Sequence, residues 1–287
     1  MNPRRQSLWE IHVAVLLFGF PGLFGKWIPL SPHLIVFGRV FFAALALGAV
    51  LALGRRSLRI ASRGDAGLLA FCGLILAVHW TLFFQSVQVS SVAVGLLAYS
   101  SFPVFTVFLE PLLLGEPRDR GSLGFALLCV LGIALIVPGF DLSNSTFQGV
   151  LYGLGAGLTF SILSIANRRL VRTHSSLKIA FYQDLLAMLF LLPFVASSPP
   201  LLSARTLWLL ALLGIFCTGA AHTLFIKGMK HVGARTASIL SSLEPVYGIV
   251  LALAFLGEVP ALRTIAGGAL ILAAALVVTV RAGRPPA

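Results

Sequence analysis

Pro103 and Pro245 stand 142 residues apart, each inside a long apolar run. A proline within a helix removes one backbone hydrogen bond and clashes with the carbonyl four residues back. The carbonyls of Tyr99 and Ser241 are therefore expected to lose their donors. In an apolar medium such a carbonyl must face protein, water or a ligand; a simple packing kink is the plainer alternative. Helical spacing draws one face through each proline: Tyr99, Phe102, Pro103 and Thr106 in the first run, Ser241, Glu244, Pro245 and Gly248 in the second. The 142-residue shift sets Tyr99 against Ser241 and Phe102 against Glu244. A cavity between the two faces would be aromatic on one side and acidic on the other. That asymmetry suits a ligand with an ammonium group and an apolar side chain.

Glu244 is the costliest of these residues, at about 2.5 kcal/mol or more if it faced lipid. Three roles are open to it: binding an amine, carrying a coupling proton, or pairing with a cation such as Arg39. Asp184 interrupts another apolar run beside Tyr182 and Gln183, and it too needs a basic partner. Arg39 and Asp184 read as gate or ion-pair residues. His79 and Phe83 share a face at i, i+4, as do Trp80 and Phe84. His79 could be a proton relay, a ligand contact or a satisfied core residue. As ligand contacts, His79 and Ser100 would donate to a carboxylate. The candidate binding set is thus His79, Trp80, Phe83, Tyr99, Ser100, Phe102, Pro103, Ser241, Ser242, Glu244 and Pro245. His222 falls nearer the far end of its run, so a metal pair with His79 is not expected. Cys72, Cys129 and Cys217 lie in apolar runs without metal spacing and read as small buried hydrophobes. Neither a metal nor a cofactor is expected.

The elements that must position these residues follow from composition. Of 287 residues, 58% are hydrophobic and only 10% charged, against about 25% charged in a soluble domain. A soluble globular fold and a disordered chain are both excluded, leaving a polytopic membrane protein. A net charge of +12 on a soluble chain would point to nucleic acid. Here it reflects Lys and Arg collected in loops on one side of a membrane, so nucleic acid is not an expected partner. The expected partners are a lipid bilayer and a small molecule, with protons open as a coupling ion.

Apolar stretches predict helices over 10–28, 33–53, 66–87, 91–114, 121–139, 147–167, 177–196, 205–226, 233–256 and 261–281. Each is long enough for a hydrocarbon core of about 30 Å, which needs about 20 residues. The runs do not alternate as strands of a membrane barrel would. The fold class is therefore all-α with ten transmembrane helices. With the N-terminus cytoplasmic, seventeen Lys and Arg residues fall in inside segments and three (Lys26, Arg205 and Arg263) in outside ones. The positive-inside rule then puts both termini in the cytoplasm. The first run lacks a small-x-small site, Lys26-Trp27 standing there instead, and reads as an uncleaved span.

Residues 81–116 align with 223–258 without a gap, with ten identities that include Pro103/Pro245 and the closing Leu-Gly-Glu. Each unit holds five helices, an odd number, so the second copy must insert upside down. Inverted repeats are an architecture of secondary transporters, with substrate bound between the halves near mid-membrane. The two copies, "SSFPVFTVFLEPLLLGE" and "SSLEPVYGIVLALAFLGE", each followed by a Gly-bearing helix, resemble the EamA branch of the drug/metabolite transporter superfamily. The segment "FGRVFFAALAL" around Arg39 is similar to that family's Arg-bearing second helix. The resemblance covers nearly the whole chain. It implies two EamA-like units, 1–140 and 141–287, and export of amino acids or other small metabolites across the bacterial inner membrane. Neutral or aromatic amino acids are the leading substrate class, with another metabolite or a drug-like compound as the alternative. A nucleotide site, a Gly-x-Ser-x-Gly elbow and a His-Glu-x-x-His motif are all missing, so an intramembrane enzyme is not expected.

Overall fold

The chain folds into α1 (Pro3–Phe18), α2 (Pro21–Trp27), α3 (Pro32–Leu53), α4 (Arg63–Val89), α5 (Val92–Tyr99), α6 (Phe102–Leu114) and α7 (Ser122–Ile136). It continues with α8 (Ser145–Leu170), α9 (Ser176–Ser197), α10 (Ala204–Gly214), a π-helical turn (Ile215–Ala220), α11 (Ala221–Gly228), α12 (Glu244–Leu256) and α13 (Leu262–Arg281). These elements belong to a computed structural model that describes residues 3–60, 62–114, 122–197, 202–228, 231, 240, 241 and 243–281. Among the described residues every regular element is helical. Ser242 and the expected helical stretch 233–239 lie outside them.

Among the described residues seven stretches are long and apolar enough to cross a membrane: Pro3–Trp27, Pro32–Leu53, Arg63–Val89, Val92–Leu113, Ser145–Leu170, Ser176–Ser197 and Ala204–Gly228. Ala126–Ile136, Glu244–Leu256 and Leu262–Ala274 are shorter apolar helices.

Helix starts follow local chemistry. Ser62, Ser91 and Ser203 each accept a backbone N–H three residues on, and Asn144 caps Thr146 and Phe147, satisfying donors the first turn leaves free. Glu258 places a carboxylate on the N–H of Val92 at 2.9 Å, a favourable charge at the start of α5.

Two expected single helices are each broken in two. The run 10–28 divides at Gly19 and Phe20, and the run 91–114 divides at Ser100 and Ser101. Pro21, Pro103 and Pro245 stand in the first turn of α2, α6 and α12, not at the centre of a kinked helix. The physical reason is that the first turn needs no N–H from these positions, so proline costs little there.

The most extensive helix packing is α4 on both α8 and α9, α3 on α9, α1 on α11, α5 on α8, and α7 on α13. Each pair joins an element from before residue 140 to one from after it. In the last pair Gly132 and Gly267 cross. A Cβ on either would run into the other's carbonyl, and Ile271 and Ile136 fill the flanking space reciprocally. Close backbone approach at small residues is how helices associate where lipid replaces water.

Candidate functional site

The break between α5 and α6 is held by its own hydroxyls. Ser100 Oγ donates to the Leu96 carbonyl at 2.7 Å and Ser101 Oγ to Ala98 at 2.7 Å. Ser161 of α8 lies 2.7 Å from the Phe102 carbonyl. The Tyr99 carbonyl packs against Gly157, where a Cβ would come within 2.9 Å of it. Tyr99 thus meets α8 with its backbone at Gly157 and with its ring at Phe160.

That ring enters a cavity bounded by Phe18, Pro21, Arg39, Leu76, His79, Trp80, Phe83, Tyr99, Phe160, Leu163, His222 and Glu244. The space free of protein atoms is about 500 Å³, its open side included. Aromatic side chains make most of its wall. Phe160 sits edge-on to Tyr99 at 5.4 Å between ring centroids and to Phe102 at 5.0 Å, while Tyr99 and Phe102 stack at 5.4 Å. Phe83 adds an edge contact with Tyr99 at 6.0 Å. Such pairs favour offset and edge geometries, which fixes the wall against rotation.

The polar groups are few. Glu244 is buried in the first turn of α12. His79 Nδ1 lies 2.9 Å from the Ala156 carbonyl, so that nitrogen carries the hydrogen and donates it. A neutral His79 then offers its other nitrogen as an acceptor, not as the donor expected for a carboxylate. The hydroxyl of Ser100 is likewise committed, to the Leu96 carbonyl. Arg39 is 2% exposed, with its Cζ 3.7 Å from the centre of the Trp80 ring. Its Nε donates to Thr218 Oγ1 at 2.9 Å, and Thr218 Oγ1 donates to the Leu213 carbonyl at 2.9 Å. Thr218 stands in the π-helical turn, a local rewinding often found at functional sites.

Of the residues expected to bind, His79, Trp80, Phe83, Tyr99 and Glu244 meet in this cavity, with Arg39. Phe102 supports Tyr99 from behind. Pro103 and Pro245 shape the helix starts, and Ser241 is buried outside the lining. Asp184 is fully buried on α9, and neither carboxylate oxygen has a hydrogen-bond partner. Among the described residues no carboxylate lies within 4 Å of the Arg39 guanidinium, although the charges of Asp184 and Glu244 both act on it.

Phe160, His222 and Thr218 are site residues that the sequence did not single out for binding. His222 lines the cavity although, as expected, it lies nearer the far end of its span, Ala204–Gly228. Its position under the 142-residue shift, opposite Trp80, was the available signal. Phe160 and Thr218 carry no such mark within apolar sequence. Among the described residues no group of three His, Cys, Asp or Glu side chains could hold a metal ion.

Known proteins agree with this architecture. A transporter of Bacillus subtilis named YxxF and described as uncharacterized is 27% identical over 94% of this chain and 88% of its own length. The pseudopaline exporter CntI of Pseudomonas aeruginosa is 29% identical over 83% of this chain and 84% of its own. The threonine/homoserine exporter RhtA of Escherichia coli is 28% identical over 71% and 68%. One crystal structure superposes with a TM-score of 0.69 and 21% identity, covering 97% of this chain and 99% of the other, and shares the fold. The model of the EamA-like transporter family matches twice, over residues 8–137 and 147–280. The chain belongs to the EamA-like transporter family.

Proposed function

We propose that the protein exports small zwitterionic metabolites, foremost neutral and aromatic amino acids, across the bacterial inner membrane by alternating access. The observation that carries this reading is the cavity itself: Glu244 and Arg39 are its oppositely charged groups, unpaired with each other, and aromatic rings line the space. An amino acid presents an ammonium, a carboxylate and a side chain, and these three surfaces answer it. The binding set is His79, Trp80, Phe83, Tyr99 and Glu244, supported by Phe102, with Ser100, Ser241, Pro103 and Pro245 at the two helix breaks. Export is supported by the relatives named as exporters.

The architecture in this reading is ten spans in two inverted five-helix units, 1–140 and 141–287, with both termini cytoplasmic. Support comes from the two family matches, the cross-half helix pairs and the breaks before Pro103 and Pro245. Rocking between the halves would expose the cavity alternately. On one side Ile11, Ala14, Val15 and Phe225 pack α1 against α11, and Glu10 pairs with Lys227 at 2.6 Å farther along both helices. In this reading that contact serves as the cytoplasmic seal of the cavity. Asp184 and Glu244 are the candidate seats of a coupling proton.

Uptake of radiolabelled amino acids into proteoliposomes, with and without an imposed pH gradient, tests the reading. Saturable counterflow of tryptophan or phenylalanine is the expected result. Flux that does not saturate, or no flux for any amino acid, would refute it.

A further inference from the structure

Resting on that reading, we infer that Arg39 is the receptor for the substrate's carboxylate. Three observations converge. The guanidinium is immobilised on two sides, by the Trp80 face at 3.7 Å and by the Nε bond to Thr218 at 2.9 Å. A second ring, Phe84, stands 5.5 Å from the same Cζ. Neither terminal nitrogen donates to any protein group among the described residues, and Nη1 is buried outright. The side chain nevertheless belongs to the cavity wall.

A buried guanidinium without a paired anion is costly, and the cost is relieved when an anion arrives with matching geometry. The guanidinium fork matches a carboxylate through two parallel N–H bonds, and stacking on an aromatic ring removes the freedom such a bond would otherwise cost. Of the other polar groups in the cavity, His222, whose Nδ1 has no partner, and Tyr99 could each donate one hydrogen bond at most, not a paired fork. Neutral His79 presents an acceptor, and Glu244 repels an anion while attracting the ammonium. Among the described residues Asp184 is the other carboxylate whose charge reaches Arg39, but it lies outside the lining and more than 4 Å away. Thr218 is a positioning residue: the π-helical turn aims its hydroxyl at Nε, leaving the fork free.

Three probes separate the charges of the ligand: tryptophan, tryptamine (ammonium without carboxylate) and indole-3-propionate (carboxylate without ammonium). Binding of each to the purified full-length protein is measured by titration calorimetry in detergent. Arg39→Gln should weaken tryptophan and indole-3-propionate by about tenfold to a hundredfold, the usual range for losing a charged hydrogen bond. Tryptamine should bind as before. Thr218→Val keeps the charge and should weaken the two carboxylates severalfold while sparing tryptamine, which decides the matter if Arg39→Gln does not fold. Equal loss for all three probes would mark Arg39 as structural and overturn the inference. So would wild-type-like binding of both carboxylates by the Arg39 and Thr218 variants. If the wild-type protein binds neither tryptophan nor indole-3-propionate, the amino-acid reading falls together with the Arg39 assignment. Should the wild type bind both and the variants bind them equally well, only the assignment falls.

Discussion

Trp80 and His222, which the 142-residue shift of the repeat sets opposite each other, meet edge to face in the cavity at 6.4 Å between ring centroids and 69° between planes. In the proposed inverted-repeat architecture a two-fold relates them, and such residues can touch only near its axis. Trp80 carries the Arg39 guanidinium on its ring as well. The cavity is therefore built around one aromatic side chain that ties α3, α4 and α11 together.

Glu244→Gln removes the one acidic group lining the cavity. Transport of neutral amino acids should fall about tenfold or more in kcat/KM, as expected for a lost charge-assisted bond of about 1.5–3 kcal/mol. Initial rates in proteoliposomes check it, and unchanged kinetics would remove Glu244 from the substrate path.

Tyr99→Ala takes away the ring that contacts Phe83, Phe102 and Phe160 at once. Aromatic substrates should lose about 1 kcal/mol, or about fivefold, relative to small ones. Competition between phenylalanine and alanine for the same transported label measures that ratio; an equal loss for both would mean that the ring only supports the fold.

Topology predicts labelling. In a background lacking Cys72, Cys129 and Cys217, single cysteines at Ser31 and Ser143 should react with an impermeant thiol reagent from outside. Cysteines at Gly64 and Thr173 should react only after the membrane is opened. The reverse pattern would contradict cytoplasmic termini.

Gly132→Val should separate α7 from α13, since its Cβ would lie 2.6 Å from the Gly267 carbonyl. Overpacking of this kind costs about 1–3 kcal/mol, so the midpoint of thermal unfolding in detergent should drop. Gly139→Val, where a Cβ meets nothing within 4 Å, is the control and should leave that midpoint unchanged.

Much of this protein was legible in its residues. Lipid supplies no hydrogen bonds, so a chain with 10% charged side chains spans it as helices or a closed barrel, and long runs that do not alternate leave helices. Glu244, His79 and Trp80 drew attention for a related reason: a polar or amphipathic group in such a run must be held by protein or ligand. Packing decided the rest. Whether Pro103 bends a helix or begins one depends on Ser100, Ser101 and Gly157 meeting at the break. Phe160 became a site residue because α8 turns that face towards Tyr99, and apolar sequence carries no mark of which face will do so. Arg39 had looked like half of an ion pair, since charge alone calls for countercharge. The fold sets it on Trp80 of α4 and brings Thr218 to its Nε from a π-helical turn, whose shift of side-chain register the sequence pattern does not encode.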